Sequence, residues 1–541
     1  MHQPELRPDG PSGNPKPKRA TDRRNVATNY LSALVVVVVG FVTTPILTHQ
    51  LGILRFGVWA LIGSLIPFLE LLELGFAGAT VAFVSRHIEL EDDEKVGATL
   101  NTSLICLSVL GVVAFAGVIV FAIFLPDIIT SIPKSLVGQA QFLVLLLAFD
   151  MALSIPMDTF GGALTALQRF DLLNYSLIAV LVAQAVGWVI VLWLHGGLVA
   201  LGIVTVVISL VGQVARLVMV RRLLPWFHIS VRRFDRGLLR LFTSASGWFS
   251  IVEVSDAVIA LSDVLIVGAA AGVKAAAIYA VAQRLGLLPL RIALPRTYLL
   301  FTKAGQLAAR DNRSGLRDST DDVVRFVQYL SIPAAIVLGF LAGPTIEAWL
   351  GPVYLEAAPI IGLLCIAAVI QAWAVTLRTA VNGSTGRPTL AASVYGAEAV
   401  IHVALGIALA SRYGPLGMAE AVLIGVVLME GMLMLPLAYR TLGDSFPRRA
   451  LRAVRSVALP GLVTGCLAWV LGRGGGPLFV FTDRHGRILG LTAVVAVGVA
   501  LMIVFYALLL ACLPSTQRHD LIARSRASLS RFTTRPHRGL P

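Results

Sequence analysis

The chain has 541 residues, of which 57% are hydrophobic and only 14% are charged, with a formal net charge of +14. Soluble domains are less apolar, and stretches of about 20 apolar residues recur along this sequence, which excludes a soluble enzyme and predicts a polytopic helical membrane protein. The basic residues cluster in loops beside the apolar stretches, where the positive-inside rule accounts for them. Nucleic acid is therefore not an expected partner.

The chain begins with a polar, basic segment, residues 1–26, which we expect to be disordered and cytoplasmic. The apolar run that follows is too long for a signal-peptide core and lacks a small-residue cleavage site, so it is interpreted as a retained first span. Fourteen spans are predicted near 27–47, 56–76, 97–124, 139–165, 173–194, 197–220, 245–268, 274–300, 325–349, 356–378, 388–411, 415–439, 453–472 and 488–513.

The distribution of Lys and Arg predicts the orientation of these spans. With the N-terminus in the cytoplasm, only seven of the 44 basic residues fall in external loops, which fits the positive-inside rule. Both termini are then cytoplasmic. The seven external residues are Arg55, Lys134, Lys274, Arg412, Arg473, Arg484 and Arg487.

The seventh and eighth predicted spans form a hairpin that carries four ionisable residues. Asp256 and Asp263 lie in the first run, and Arg284 and Arg291 lie in the second. Seven residues make nearly two helical turns, so each pair shares one helix face. Because charges near a bilayer centre usually face a partner or a wet cavity, the acids could meet the bases if the two helices are antiparallel neighbours.

A sequence pattern occurs twice, about 220 residues apart, at Leu51–Ala60 and Ala271–Ala280. Each copy has a glycine, a small residue five positions later, an aromatic at seven and alanine at eight. The two copies are separated by six predicted spans, an even number, so they share one orientation. This predicts two parallel repeats related by an axis along the membrane normal, with chance similarity of two glycine-rich turns as the alternative.

Several motifs together resemble the bacterial polysaccharide exporters, the Wzx-type O-antigen and capsule flippases of the multidrug/oligosaccharidyl-lipid/polysaccharide superfamily. The resemblance covers about residues 25–440, and one departure is Glu73, where relatives commonly have Asp. The motifs are Leu51–Ala60, Leu71-Leu72-Glu73-Leu74-Gly75-Phe76 with Arg86, Gln168-Arg169-Phe170-Asp171, Asp263–Gly268 and Ile278–Leu285.

The resemblance implies an all-α fold of about 14 transmembrane helices, with two six-helix lobes in a parallel pseudo-twofold repeat plus two C-terminal helices. The two lobes are joined by a cytoplasmic linker, residues 221–244, in which Val231–Phe242 is predicted to form a basic amphipathic helix on the membrane surface. The predicted domains are the N-terminus 1–26, N-lobe 27–220, cytoplasmic amphipathic linker 221–244, C-lobe 245–439, spans 13 and 14 with their loops 440–513, and a basic cytoplasmic tail 514–541.

The resemblance also implies a polyprenyl-diphosphate-linked cargo, whose negative charge would need fixed cations within the membrane. Guanidinium groups stay protonated and bind phosphate oxygens in pairs, so arginines are the expected diphosphate ligands. Arg284 is the main candidate because it lies near mid-span, with Arg291 nearer the cytoplasm and Arg86 and Arg24 at the cytoplasmic mouth. A structural salt bridge between Arg284 and Asp256 is the alternative, and the sequence leaves both open.

Carboxylates within or near the spans are candidates for cavity acids that couple transport to H⁺ or Na⁺. The predicted cavity acids are Asp256, Asp263, Glu70 and Glu398. Glu398 shares a helix face with His402, where an interhelical hydrogen bond is the stronger expectation than a proton relay. Further acids in or near spans are Glu73, Asp150, Glu253, Glu420 and Glu430.

No catalytic residue, metal site or cofactor is predicted, because the four cysteines show no metal-ligand spacing and no Gly-x4-Gly-Lys-Ser/Thr motif occurs. The predicted function is a flippase in the bacterial plasma (inner) membrane that translocates polyprenyl-diphosphate-linked oligosaccharide by alternating access. A lipid II flippase or a cation-coupled multidrug exporter is the alternative, and a membrane-embedded polymerase or ligase is disfavoured by the short external loops. Expected partners are the lipid-linked substrate, membrane lipids, a polysaccharide polymerase and a chain-length regulator.

Overall fold

The computed structural model describes residues 22–65, 68, 76–230, 233–238, 247–385, 389–443 and 446–513. Every regular element within these residues is helical, because a helix pairs its backbone polar groups within one segment, as a lipid environment requires. Twelve helices of the described part are long and apolar enough to cross a membrane. The prediction of an all-α polytopic membrane protein is confirmed.

The helices of the first half are α1 (Asp22–Leu65), α2 (Phe76–Glu89), α3 (Asp93–Ile128), α4 (Lys134–Ala166), α5 (Phe170–Trp193) and α6 (Leu198–Leu223). Those of the second half are α7 (Gly247–Ala271), α8 (Val273–Gly286), α9 (Leu288–Arg291), α10 (Leu294–Ala309), α11 (Arg313–Phe340), α12 (Ala342–Leu350), α13 (Ala357–Thr385), α14 (Thr389–Gly425), a π-helical segment (Val426–Met434), α15 (Leu435–Thr441), α16 (Phe446–Gly472), α17 (Pro477–His485) and α18 (Arg487–Cys512).

Two of the long helices contain a glycine with non-helical dihedral angles. Gly52 in α1 has φ 72° and ψ 165°, and Gly414 in α14 has φ 62° and ψ −142°. Gly272, between α7 and α8, has φ 94° and ψ 169°, so the first glycines of the two repeated patterns make the same kind of turn. Only glycine adopts these angles at little cost. Each of α1 and α14 therefore consists of two segments, while the count of fourteen spans and the duplication stay predictions.

The predicted eighth span, 274–300, is not one helix as expected. It is divided into α8, α9 and the start of α10. Pro289 and Pro295 lie in the first turns of α9 and α10, where the missing backbone N–H costs no intrahelical hydrogen bond, so each new helix begins just before its proline. The segment between the eighth and ninth predicted spans is also mostly helical, since α10 ends only at Ala309 and α11 begins at Arg313.

Contacts divide the chain into two compact units, and the first comprises Met1–Thr43, Leu72–Ala122 and Phe142–Ser246. Its core contains the buried side chains of Val84, Leu100, Phe160 and Phe227. The rings of Phe160 and Phe227 meet edge to face, with centroids 6.3 Å apart. Because Phe227 belongs to the predicted linker, this part of the linker is packed into the first unit.

The linker is also held to α3 by hydrogen bonds. The side chain of Asn101 donates to the carbonyl of His228 (3.1 Å) and accepts from the backbone N–H of Ser230 (2.7 Å). A further hydrogen bond runs from the backbone N–H of Asp235 to Thr102 Oγ1 (3.0 Å), so the linker docks directly on α3 at several points. The predicted amphipathic helix that follows lies partly outside the described residues.

The second unit comprises Thr44–Leu71, Ile123–Gln141 and Gly247–Pro541. Within it α13 packs against α8, α10, α11 and α14. Leu377 and Ala380 of α13 are fully buried together with Leu300, Val327 and Met434. The unit takes in two segments of the predicted N-lobe, and the predicted lobe boundaries stay a prediction.

Candidate functional site

Arg284, the main predicted diphosphate ligand, lies in the last turn of α8. Its Nη1 donates a hydrogen bond of 2.6 Å to the hydroxyl of Thr44, a fully buried residue of α1. Arg291 of α9 is near enough to interact electrostatically with Arg284. The structure therefore brings the two predicted membrane arginines together, at the C-terminal end of α8 where the helix dipole favours positive charge.

Asp256 does not bind Arg284, so the predicted alternative of a salt bridge between them is wrong. Both carboxylate oxygens of Asp256 accept from Nη1 of Arg378, at 2.8 and 2.9 Å. The guanidinium also lies over the ring of Tyr395, 4.1 Å from the centroid. Hydropathy ended the tenth span at Arg378, but α13 continues to Thr385, which places this arginine inside the helix packing. The position of Arg378 at the end of a predicted span was the feature of the sequence that could have identified it as a candidate.

Asp263 is a buried acid with three polar partners. It accepts hydrogen bonds from Tyr279 Oη (2.7 Å) and Gln283 Nε2 (3.1 Å) of α8, and its other oxygen is 2.7 Å from Nε2 of His402 on α14. Only 4% of Asp263 and 2% of His402 is exposed. The expected meeting of acids and arginines across the α7–α8 hairpin is replaced by this network, whose two α8 members, Tyr279 and Gln283, were not predicted.

His402 was expected to make an interhelical hydrogen bond, and it does so with Asp263 rather than acting with Glu398. Glu398 lies one helical turn earlier on α14 and is 1% exposed. It is close enough to Glu430 of the π-helical segment to interact electrostatically. Glu430 in turn accepts a hydrogen bond of 3.0 Å from the hydroxyl of Tyr395.

Arg24 and Arg86 were predicted at the cytoplasmic mouth, and both are exposed. Arg24 lies 3.2 Å from the fully buried carboxylate of Asp171. Arg169 binds the same carboxylate through two hydrogen bonds of 2.9 and 3.2 Å. The Gln168–Asp171 motif thus ties the start of α5 to the start of α1. Of the remaining predicted acids, Glu70 and Glu73 and the side chain of Glu253 lie outside the described residues.

The N-terminal half of this chain matches a known protein family. The family described as "Polysaccharide biosynthesis protein" matches residues 23–299, slightly more than half of the chain. This chain belongs to the polysaccharide biosynthesis protein family. In this family member, Asp263, Tyr279 and Arg284 lie within the matched part, whereas Arg378 and Glu398 lie beyond it.

Two curated proteins are similar to this polysaccharide biosynthesis family member. The "Uncharacterized membrane protein EpsK" of Bacillus subtilis (strain 168) is 22% identical over 342 residues, which cover 62% of this chain and 67% of the relative. The "Succinoglycan biosynthesis transport protein ExoT" of Rhizobium meliloti (strain 1021) is 26% identical over 356 residues, covering 64% of this chain and 66% of the relative. The chain spans about two thirds of the length of these relatives.

The fold of this family member is also similar to a solved structure, the lipid II flippase MurJ in an inward closed conformation. The two share a TM-score of 0.67 at 14% sequence identity, covering 92% of this chain and 99% of that one. At this identity the similarity concerns the fold. The resemblance to the polysaccharide exporters inferred from the sequence is confirmed, together with its transporter-like polytopic fold.

Proposed function

We propose that this protein translocates a polyprenyl-diphosphate-linked oligosaccharide across the membrane by alternating access, as a transporter rather than an enzyme. The observation that carries the proposal is the neighbouring pair of guanidinium groups, Arg284 and Arg291, in one membrane-spanning segment, Val273–Arg291. Two guanidinium groups this near to each other can bind the several charged oxygens of one anion together. Family membership and the name of ExoT, a succinoglycan biosynthesis transport protein, support the same function.

The chemistry of the cargo fits this pair. A diphosphate presents several charged oxygens, and each guanidinium can donate two parallel hydrogen bonds to them. Arg284 keeps its Nη1 on Thr44, which fixes the direction of the guanidinium plane in advance. Such a pre-oriented donor loses less conformational entropy when the anion binds than a free side chain would.

We also propose the setting in which this transport takes place. The protein would lie in the bacterial plasma (inner) membrane with both termini cytoplasmic, as its distribution of Lys and Arg favours. A polysaccharide polymerase and a chain-length regulator are the proposed partners that use the translocated units. Arg24 and Arg86, both exposed, are proposed to attract the diphosphate at the cytoplasmic side. The energy source is proposed to be a gradient of H⁺ or Na⁺ acting through the buried acids.

The first test is a lipid extraction from cells lacking this gene, with leaflet-specific probing of polyprenyl-diphosphate oligosaccharides. We expect complete repeat units to accumulate on the cytoplasmic leaflet and the wild-type protein to relieve this. Arg284→Ala should lower transport by roughly 10-fold or more, because a hydrogen bond to a charged group contributes about 1.5–3 kcal/mol. Arg284→Lys keeps the charge but not the paired donors, and should recover part of the activity.

Arg310→Ala serves as the matched control, since Arg310 is an exposed residue that caps the C-terminal end of α10 outside the spans. It should transport like the wild type. Complete units that reach the outer leaflet and remain unpolymerised in the deletion strain would refute the flippase. Accumulation of lipid II instead of the oligosaccharide would identify the alternative cargo, and full transport by Arg284→Ala would refute the site.

A further inference from the structure

Three carboxyl groups and one guanidinium come together where α7, α13, α14 and the π-helical segment meet. Asp256 pairs with Arg378, while Glu398 lies close enough to Asp256, Arg378 and Glu430 to interact electrostatically with each. Glu398 and Glu430 are 1% and 2% exposed. We refer to these four residues as the carboxyl cluster.

Two oxygens of the carboxyl cluster are buried without a partner. Oε2 of Glu398 and Oε2 of Glu430 accept no hydrogen bond from any of the described residues. An ionised carboxylate with an unpartnered oxygen in an apolar interior costs several kcal/mol. If both glutamates were ionised, three negative charges would also face the single positive charge of Arg378. The surroundings therefore favour the protonated form of both glutamates.

The backbone around Glu430 supplies a second observation, which is independent of the unpartnered oxygens. Val426–Met434 is π-helical, between the α-helical segments α14 and α15. π-helical turns are rare and are found frequently at functional sites. The wider turn places Glu430 at the hydroxyl of Tyr395, 35 residues earlier.

We propose that Glu398 and Glu430 form a proton-binding site, and that Arg378 responds when the proton leaves. This inference rests on the proposed transport function, because it names the residues that would couple a proton gradient to it. With both glutamates protonated, Arg378 has Asp256 as its charged partner. Loss of a proton creates a second carboxylate that competes for the guanidinium. Arg378 contacts Asp256 through Nη1 alone, so its other nitrogens are able to turn to the new carboxylate and weaken the link between α7 and α13.

The groups around the two glutamates favour a proton over a metal cation. The positive charge of Arg378 on α13 opposes a bound Na⁺, and within the described residues no group of three His, Cys, Asp or Glu is arranged to hold a metal ion. The other titratable groups near the site have partners of their own. Asp256 of α7 is bound to Arg378, and the hydroxyl of Tyr395 on α14 donates a hydrogen bond to Glu430. The hydroxyl of Tyr439 on α15 accepts a hydrogen bond from the indole N–H of Trp373. His402, one turn beyond Glu398, is bonded to Asp263.

Infrared spectroscopy of the purified full-length protein in lipid tests the site without any cargo, because neutral and ionised carboxyl groups absorb at different frequencies. The wild type should show neutral carboxyl absorption at neutral pH. Glu398→Gln and Glu430→Gln should each remove the absorption of one neutral carboxyl group, and the double variant should remove that of two. Glu420→Gln, a change to another acid on α14, should remove neither.

Asp256→Asn supplies a test that a purely structural role would not predict. It frees Arg378 and removes a neighbouring negative charge, so the neutral carboxyl absorption should be lost at a lower pH than in the wild type. Identical spectra of wild type, Glu398→Gln and Glu430→Gln at neutral pH would overturn the proposal. If the glutamine variants fail to fold, a wild-type spectrum without neutral carboxyl absorption above about pH 6 overturns it equally.

A decrease of the neutral absorption when Na⁺ is added at fixed pH would show metal binding and refute the assignment to a proton. The infrared experiment tests the proton site and the leaflet assay tests the transport function, so either proposal can be refuted without the other. A spectral shift in a protein that moves no lipid-linked oligosaccharide would support the proton site and refute the transport function. Export without any neutral glutamate would refute the proton site and retain the function.

Discussion

Asp263 has a polar partner for each of its two oxygens, and these contacts explain two of the family-like motifs at the level of single atoms. One oxygen accepts from Tyr279 and Gln283, and the other meets His402. Because the carboxylate is buried, each donor offsets part of the cost of removing it from water. The aromatic residue of the second repeated pattern is therefore a ligand of the acid on the preceding helix, which fixes α7 against α8 and α14.

We predict that Asp263→Asn lowers the free energy of unfolding by roughly 2–4 kcal/mol, because an amide cannot accept from all three donors and leaves His402 without its carboxylate. Tyr279→Phe keeps the buried ring and loses one hydrogen bond, so it should cost only about 1–2 kcal/mol. Thermal unfolding of the purified protein in detergent gives both values. Equal melting temperatures of wild type and Asp263→Asn would contradict the assigned role.

A second residue-level prediction concerns the start of α3, outside the spans. Asp92 Oδ2 lies 2.8 Å from Lys95 Nζ, and Oδ1 accepts from the backbone N–H of Lys95 at 3.0 Å. These hydrogen bonds, the ammonium first, hold the pKa of Asp92 below its ordinary value. Because the folded-state pKa is the lower one, the stabilisation is present above the ordinary pKa of about 4 and is lost as the pH falls through the lowered value.

Asp92→Ala should accordingly cost about 1 kcal/mol at neutral pH, the usual effect of losing a helix cap, and less below about pH 4, with a further decrease as the pH falls through the lowered pKa of Asp92. Melting temperatures measured across this pH range check the prediction. Glu94→Gln, a change to an exposed acid two residues later, is the control and should have little effect at either pH. A cost of Asp92→Ala that does not change with pH would show that its charge is not involved.

At the scale of the helices, close approach of backbones is decided by a few glycines. Gly57, the small residue of the first repeated pattern, lies in α1 against the start of α8. A Cβ at Gly57 would overlap the backbone carbonyl oxygen of Val273. A Cβ at Gly63, on the same helix, would meet nothing within 4 Å. The small residue of the pattern is therefore required by packing, and a backbone neighbour cannot move as a flexible side chain could.

We predict that Gly57→Ala lowers the free energy of unfolding by about 1–3 kcal/mol, the typical cost of overpacking. Gly63→Ala should leave stability unchanged or raise it by up to about 1 kcal/mol, since alanine loses less backbone entropy in a helix. Comparison of the two melting temperatures in one detergent isolates the contact with Val273. A Gly57→Ala protein as stable as Gly63→Ala would exclude close packing at this point.

At the scale of the whole molecule, charge and apolar length together predict how the chain crosses the membrane. The helix α3 begins with three charged residues, Asp93–Lys95, and ends at Ile128, shortly before α4 begins at Lys134. In the proposed orientation the first end is cytoplasmic and the second external. This orientation has direct consequences for which residues a water-soluble reagent can reach.

We predict that a membrane-impermeant thiol reagent labels Lys134→Cys but not Glu94→Cys in sealed spheroplasts, and that permeabilisation exposes both. Both positions are exposed on the protein surface. Labelling of Glu94→Cys before permeabilisation would reverse the proposed orientation. The background variant replaces the native thiols Cys106, Cys365, Cys466 and Cys512 by serine.

The sequence by itself determined the class of protein. Long apolar stretches leave helices as the means of crossing lipid, and the residues of the repeated pattern, such as Gly52 and Gly272, mark the turns between them. The motifs were sufficient to indicate the polysaccharide exporters. The division of the eighth span was also within reach of the sequence, because Pro289 and Pro295 signal it, but hydropathy alone joined the pieces.

Only the tertiary structure decided which charges meet. Helical phase places Asp256 and Asp263 on one face, but the direction in which that face points depends on neighbours far away in the chain. Asp256 reached Arg378, which is 122 residues away, and Asp263 reached His402, 139 residues away. Hydropathy carries no information on such pairings, since several helices of similar composition can occupy the same place beside α7. The position of a charged residue within an apolar stretch can be predicted from the local sequence, whereas its partner depends on how the helices pack.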